Sequence, residues 1–318
     1  MFTRRLLLQS ATLAAAAASL PTRLSAAPKP NPRNGRANFS LGFSLYGMKS
    51  VPLPESLQLC RDIGYEHVEF CLNPGFPTEP SSFTATARTA AAAQLKQLRL
   101  DLPCLMVLMN LTASDDEHRR SLELIATAAQ LARDLDPARP AMLETVLGGS
   151  PAKWMDQRGL MADRLKDWAA AAEQANTTIL LKAHVGSAVN SPDRLLWLFE
   201  QVPSSALQAA YDYSHFELQG IDLTESLRLL LPRTRFIHVK DSAGTAEKFR
   251  FLLPGTGRTD YVKYFSLLNE LQYSGPVCVE VSGQVSGQPG YDPKAAAVQC
   301  WTALNAARQT AAGAVPRN

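Results

Sequence analysis

Cysteine is scarce in this chain, and odd in number. The 318 residues hold five: Cys60, Cys71, Cys104, Cys278 and Cys300. They are widely spaced and several sit inside apolar runs, which argues against a disulfide framework and for buried free thiols. Histidine is equally scarce, at five. No glycine-rich turn follows the first strand-like run, as an open dinucleotide-binding sheet would show. No arginine cluster or glycine-rich cradle for phosphate stands out. No stretch after residue 27 is apolar for long enough to cross a bilayer. A basic surplus is missing too. Three of the 32 Lys and Arg residues (Arg4, Arg5 and Arg23) lie in the first 27 positions, which hold no acid, so 29 bases remain against 29 acids. Nothing in that balance favours nucleic acid or an anionic membrane as a partner.

What is present begins with an address. Arg4-Arg5 precedes an apolar run that reaches Leu20, and small residues follow at Ser25-Ala26-Ala27. This reads as a signal peptide of twin-arginine type over 1–27, with cleavage expected after Ala26, so the chain is expected to be exported to the periplasm. Residues 28–38 are rich in Pro, Asn and Gly and read as a linker. The catalytic domain is expected over 39–310, with a tail at 311–318.

Within that domain short apolar runs alternate with stretches of helical period. The runs are Phe39–Tyr46, His67–Leu72, Leu100–Leu108, Ala141–Leu147, Thr178–Val185, Leu207–Tyr213, Thr234–Val239 and Pro276–Val281. The helical stretches are Pro54–Ile63, Ala85–Leu98, Asp116–Leu135, Leu160–Ala175, Pro192–Glu200, Leu223–Leu230, Tyr261–Leu271 and Pro293–Ala307. Eight strand–helix pairs of this length predict an α/β fold, a single (β/α)8 TIM barrel.

Reactive residues of such a barrel come from the C-terminal ends of its strands. Glu69, Glu144, Lys182, His184, Asp212, His215, His238, Lys240, Asp241 and Glu280 all fall there. Several interrupt otherwise apolar runs, as in Ile179-Leu180-Leu181-Lys182-Ala183-His184 and Val277-Cys278-Val279-Glu280-Val281. Burying them is costly unless they pair or hold a metal. Lys182 and His184 share a strand face, as do His238 and Lys240. Imidazole and carboxylates together suit Mn²⁺, Mg²⁺, Co²⁺ or Zn²⁺. The alternative is a network of salt bridges closing the barrel top.

At these residues the chain resembles the xylose-isomerase-like TIM-barrel superfamily, from about residue 39 to 307. The motifs are Tyr211-Asp212-Tyr213-Ser214-His215, Ile237-His238-Val239-Lys240-Asp241-Ser242, Leu253-Pro254-Gly255-Thr256-Gly257 with Asp260-Tyr261, and Val279-Glu280-Val281-Ser282. The resemblance implies metal ligands at Asp212, His238 and Glu280, and a substrate contact at His215. The family's fourth ligand is a Glu on the fifth strand, where this chain carries Lys182. Three outcomes stay open: His184 or Glu144 supplies the missing ligand, Lys182 is deprotonated and acts as base or ligand, or no metal is kept. The expectation carried forward is a retained divalent metal. The family's nuclease branch needs additional histidine ligands and a basic surface, and this chain has neither; His118 is placed on a solvated helix face.

The implied activity is isomerisation or epimerisation of a non-phosphorylated sugar or keto-sugar through an enediolate. Glu280 is the first choice for moving the proton, with Lys182 or Glu144 on the other face. His215 and Lys240 would hold substrate oxygens, and Glu69 either contacts substrate or pairs with a neighbour. Trp154, just after the Gly148-Gly149-Ser150-Pro151 loop, is expected to wall the substrate. Phe249, Arg250 and Phe251 are read as a lid loop. Three other readings stay open: a lyase that opens 3-keto-glycosides or dehydrates a keto-inositol, a barrel that binds sugar without catalysis, and imine chemistry at Lys182. The partner is a small carbohydrate, and homo-oligomerisation stays open.

Overall fold

The computed structural model describes residues 38–313. The signal peptide and all but the last position of the linker lie outside the described residues, as do positions 314–318. Eight strands close into a parallel barrel: β1 (Ser40–Ser44), β2 (His67–Cys71), β3 (Asp101–Met106), β4 (Met142–Val146), β5 (Ile179–Lys182), β6 (Leu207–Asp212), β7 (Thr234–Val239) and β10 (Pro276–Val279). Each pairs in parallel with its sequence neighbour, and β10 returns to β1. The crossover helices are α1 (Leu53–Ile63), α2 (Ala85–Leu98), α3 (Asp115–Leu135), α4 (Trp154–Gln174), α5 (Pro192–Gln201), α7 (Leu223–Leu230), α8 (Tyr261–Glu270) and α10 (Pro293–Gly313). Two short helices, α6 (Tyr213–Glu217) and α9 (Gly283–Ser286), follow β6 and β10.

The chain marks its own helix ends. Ser114 accepts the Glu117 N–H while Glu117 bonds back to the Ser114 N–H, a reciprocal cap on α3. Asp222, Asp260 and Ser191 cap α7, α8 and α5. The expected elements agree with these to within a few residues, with three differences. The helix expected from Leu160 starts six residues earlier, at Trp154. The last helix runs past the expected boundary at 310 to Gly313. Residues read as a lid loop form an antiparallel hairpin instead, β8 (Asp241–Gly244) and β9 (Phe249–Leu252).

Period-two alternation then decides what faces where. The outer faces of the strands carry Phe43, Val68, Phe70, Leu105, Leu143 and Ile237, which join one core with the helices. The inner face carries, from the middle upward, Cys104, Leu180, Ala210, Phe236 and Cys278, then the charged residues two positions on. Leu180 is followed by Lys182, Ala210 by Asp212, Phe236 by His238, and Cys278 by Glu280. Lower down, Gly42 of β1 makes room for the buried imidazole of His67, whose Nδ1 meets Ser40 Oγ at 3.1 Å. A Cβ at Gly42 would run into that ring. All five cysteines are buried and free.

Candidate active site

The inner face of the barrel ends in a cavity of about 330 Å³ on the side of the strand C-termini. Glu144, Lys182, His184, His215, Lys240 and Glu280 line it, with Tyr46, Met106 and Phe251 as apolar walls. At its floor the charges form a chain. Lys182 Nζ donates to His238 Nδ1 at 2.9 Å and to Glu280 Oε2 at 3.1 Å. It also pairs with Glu144 Oε1 at 2.9 Å, a charge contact not aligned as a hydrogen bond. Lys240 Nζ donates to the same Glu280 oxygen at 2.7 Å and to Asp212 Oδ2. Behind them His238 Nε2 meets Glu69 Oε2 at 2.9 Å.

The geometry assigns protons. Lys182 gives His238 Nδ1 a proton to accept, so the imidazole carries its own on Nε2 and donates that to Glu69. Burial works against a charge on Lys182, but Glu144 and Glu280 outweigh it and hold its pKa well above the ordinary lysine value. Burial also resists ionisation of Glu280 and Asp212. For Glu280 the two lysines prevail, and for Asp212 Lys240 does, so both carboxyls sit well below the usual range. Glu144 goes the other way. Burial pushes its carboxyl up, and Lys182 offsets that only in part. Burial takes His215 down to about 4 and His184 to about 2, so both rings are neutral near pH 7. Their ring centroids are 4.2 Å apart, and Phe251 packs edge-on against His215 at 5.1 Å.

Asp212, His238 and Glu280 do converge: one ligand atom of each lies within 4.8 Å of the others. Those atoms are nevertheless engaged by the two ammonium groups, and metal–ligand bonds near 2.1 Å would put a cation on top of them. The donor set as placed therefore does not fit a divalent ion. The two residues considered as a replacement ligand do not mend this. His184 Nδ1 accepts the Gly186 N–H at 3.0 Å, and Glu144 faces Lys182.

Other expected residues lie elsewhere. Trp154 is buried at the start of α4, edge-on to Trp197 at 5.3 Å with Arg194 over its face, and is not part of the cavity wall. The six-residue offset in the helix start moved it from loop to packing. Glu69 is fully buried beneath His238 and does not reach the cavity, because it stands one layer deeper on the inner face. His118 is not on a solvated face; it is largely buried, with Nε2 2.9 Å from Asp167. Asp241 closes the following loop: its Oδ2 accepts the N–H groups of Gly255, Thr256 and Gly257, and its Oδ1 that of Thr259. Tyr46 and Asn73 line the cavity and were not singled out from sequence. Tyr46 follows the first strand directly, the position where the fold rule points, and Asn73 presents a buried oxygen with no bonding partner.

With fold and site in view, comparison with known proteins is informative. The xylose isomerase-like TIM barrel family matches over residues 57–301. The chain belongs to that family. It is 25% identical over 256 residues, 76% of this chain and 87% of the other, to a protein of Escherichia coli (strain K12) whose name, L-ribulose-5-phosphate 3-epimerase, is itself provisional. It is 26% identical over 136 residues to the inosose dehydratase of Clostridium beijerinckii (strain ATCC 51743 / NCIMB 8052), covering 38% of this chain and 46% of that one. Among solved structures, IolI protein with a binding zinc atom superposes with a TM-score of 0.68 at 18% identity, over 85% of this chain and 96% of that one. That last likeness is one of fold. The relatives are enzymes acting on small polyhydroxylated molecules, as epimerases and dehydratases.

Proposed function

We propose that this barrel interconverts free sugars or keto-sugars, as an isomerase or epimerase that works through an enediolate. One observation carries the reading: Glu144 is a buried carboxyl opening on the cavity, with Oε1 free of any hydrogen bond and 2.9 Å from a lysine ammonium. Burial raises its pKa, which strengthens it as a base for a proton that must be taken up and returned. A C–H proton beside the substrate carbonyl passes to Glu144, and its electron pair moves onto the carbonyl oxygen. Lys182 and Lys240 stabilise the negative charge that forms there. Return of the proton to the neighbouring carbon, with the adjacent hydroxyl passing its own proton to the former carbonyl oxygen, interconverts aldose and ketose. Return to the opposite face of the same carbon gives the epimer and draws on a second carboxyl, for which Glu280 lines the cavity. His215 and Asn73 are among the polar groups placed to hold hydroxyls.

The substrate class follows from charge. Among the described residues lining the cavity there is no arginine, and both lysines are bound to carboxylates. The charge of both lysines is already shared with Glu144, Asp212 and Glu280, so a phosphate dianion meets no net positive charge there. The signal-peptide reading of residues 1–27 points the same way, towards sugars met outside the cytoplasm.

The test is solvent deuterium uptake. A panel of unphosphorylated aldoses, ketoses and keto-glycosides is incubated with the full chain in D₂O and read by mass spectrometry. One or more sugars gain deuterium at the carbon next to the carbonyl, and Glu144→Gln slows uptake by at least about 100-fold. Uptake by no member of the panel, or at an unchanged rate in the variant, overturns the reading. The inosose dehydratase likeness favours a second outcome of the same intermediate: a hydroxyl beta to the lost proton departs as water. A product lighter by one water in the same spectra identifies it.

A further inference from the structure

We propose that the ammonium groups of Lys182 and Lys240 together replace a divalent cation at the barrel mouth, so that catalysis here is metal-independent. The inference rests on the enediolate reading of the site. Its basis is that three potential ligand atoms and two ammonium groups share one small space. His238 Nδ1 takes Lys182, Asp212 Oδ2 takes Lys240, and Glu280 Oε2 takes both, at 3.1 and 2.7 Å. Two unit charges thus stand on the donors that would hold one doubly charged ion. A cation entering at bonding distance from those atoms would overlap the ammonium groups and be repelled by both. Both lysines are buried, and moving either one out without a replacement cation strands a buried carboxylate.

The second grouping of ligand-type atoms offers no refuge. Glu69, His238 and Cys278 come together one layer down, but the Nε2 of His238 already gives its proton to Glu69.

The pair can do for the substrate what a metal does for a carbonyl. Each ammonium has three N–H donors. Lys240 spends two, on Asp212 and Glu280, and its nitrogen lies 4.9 Å from the Phe251 ring centre on the cavity wall. Its third N–H remains for a substrate oxygen. Fixed positive charge held by buried ion pairs stabilises an oxyanion without reorganising.

The experiment uses the full chain, purified without added metal or chelator, and its Lys182→Glu variant. Metal content is measured by elemental analysis, and Tm is followed as Mn²⁺ or Zn²⁺ is titrated in. The wild type carries no stoichiometric metal, shows no Tm rise, and exchanges deuterium at the same rate with and without EDTA. Lys182→Glu gains a fourth carboxylate in place of an ammonium, and its Tm rises by several degrees with metal at about 100 times Kd. One metal per chain in the wild type, whose removal lowers Tm or exchange, overturns the proposal. If Lys182→Glu does not fold, the wild-type metal content and titration decide alone. A wild type that takes up no metal yet exchanges no sugar overturns the isomerase reading, and the replacement of the cation by the two ammonium groups still stands.

Discussion

Replacing Lys182 by Met tests the charge chain most directly. The side chain keeps its unbranched shape one atom shorter and loses three contacts: Glu144 at 2.9 Å, Glu280 at 3.1 Å and His238 at 2.9 Å. Glu280 retains Lys240, but Glu144 is left in the interior without a cation. Breaking a buried pair by removing one partner costs about 3–5 kcal/mol. The lost bond to His238 adds about 1 kcal/mol. Protonation of Glu144 limits the damage, because its carboxyl is already raised and rises further without the lysine. A net loss of about 4 kcal/mol follows, which for a barrel of this size lowers Tm by roughly 10 °C. The sign with pH is fixed. A carboxyl whose folded pKa lies above its unfolded value favours the native state fully below the unfolded pKa, and that support disappears as pH rises through the folded one. The deficit of Lys182→Met is therefore smaller at pH 5 than at pH 8. Adding Glu144→Gln removes the stranded charge and recovers about half the loss. Urea unfolding of wild type, both single variants and the double variant at pH 5, 7 and 8 gives the full cycle. A deficit under about 1 kcal/mol, a deficit flat with pH, or a double variant no better than Lys182→Met would refute the reasoning.

Three further outcomes are expected. Gly42→Ala puts a methyl group into the His67 ring and destabilises by about 2–3 kcal/mol in thermal unfolding, and the added change His67→Ala restores much of that. Burial, with His238 nearby, holds His67 at about 3, below the ordinary 6.5, so its contribution is whole above pH 6.5 and drains away as pH falls towards 3. His67→Leu should flatten stability against pH between 6.5 and 4, where the wild-type slope from this group approaches about 1.4 kcal/mol per pH unit; an unaltered slope would count against the assignment. Asp241→Ala orphans the backbone N–H groups of Gly255, Gly257 and Thr259, so brief trypsin treatment cuts after Arg258 in the variant and spares the wild type.

The barrel could be read from the chain because its signals are local. Apolar runs of strand length, helical periods between them, and caps such as Ser114 and Asp222 need only a few neighbouring residues to act. The charged residues were legible for the same reason. Lys182, His238 and Glu280 interrupt apolar runs, and period two places each on the inner face above Leu180, Phe236 and Cys278. Depth along the barrel axis was not legible. Glu69 sits one layer below the cavity, under His238, because stagger between strands and not position within a strand sets height in a closed sheet. Trp154 fell to packing because its helix began earlier than its apolar pattern showed.

What the sequence alone determined is the fold, the inventory of ionisable groups and the strand ends that bear them. Only the tertiary structure decided their pairing. Lys182 stands 56 positions from His238 and 98 from Glu280, and no local pattern tells whether a lysine at that spot is a base, a ligand or a counter-ion. Closure of the barrel sets the pairing, since bringing Glu144, Asp212 and Glu280 into one buried space requires positive charge among them, and two lysines are the cations within reach.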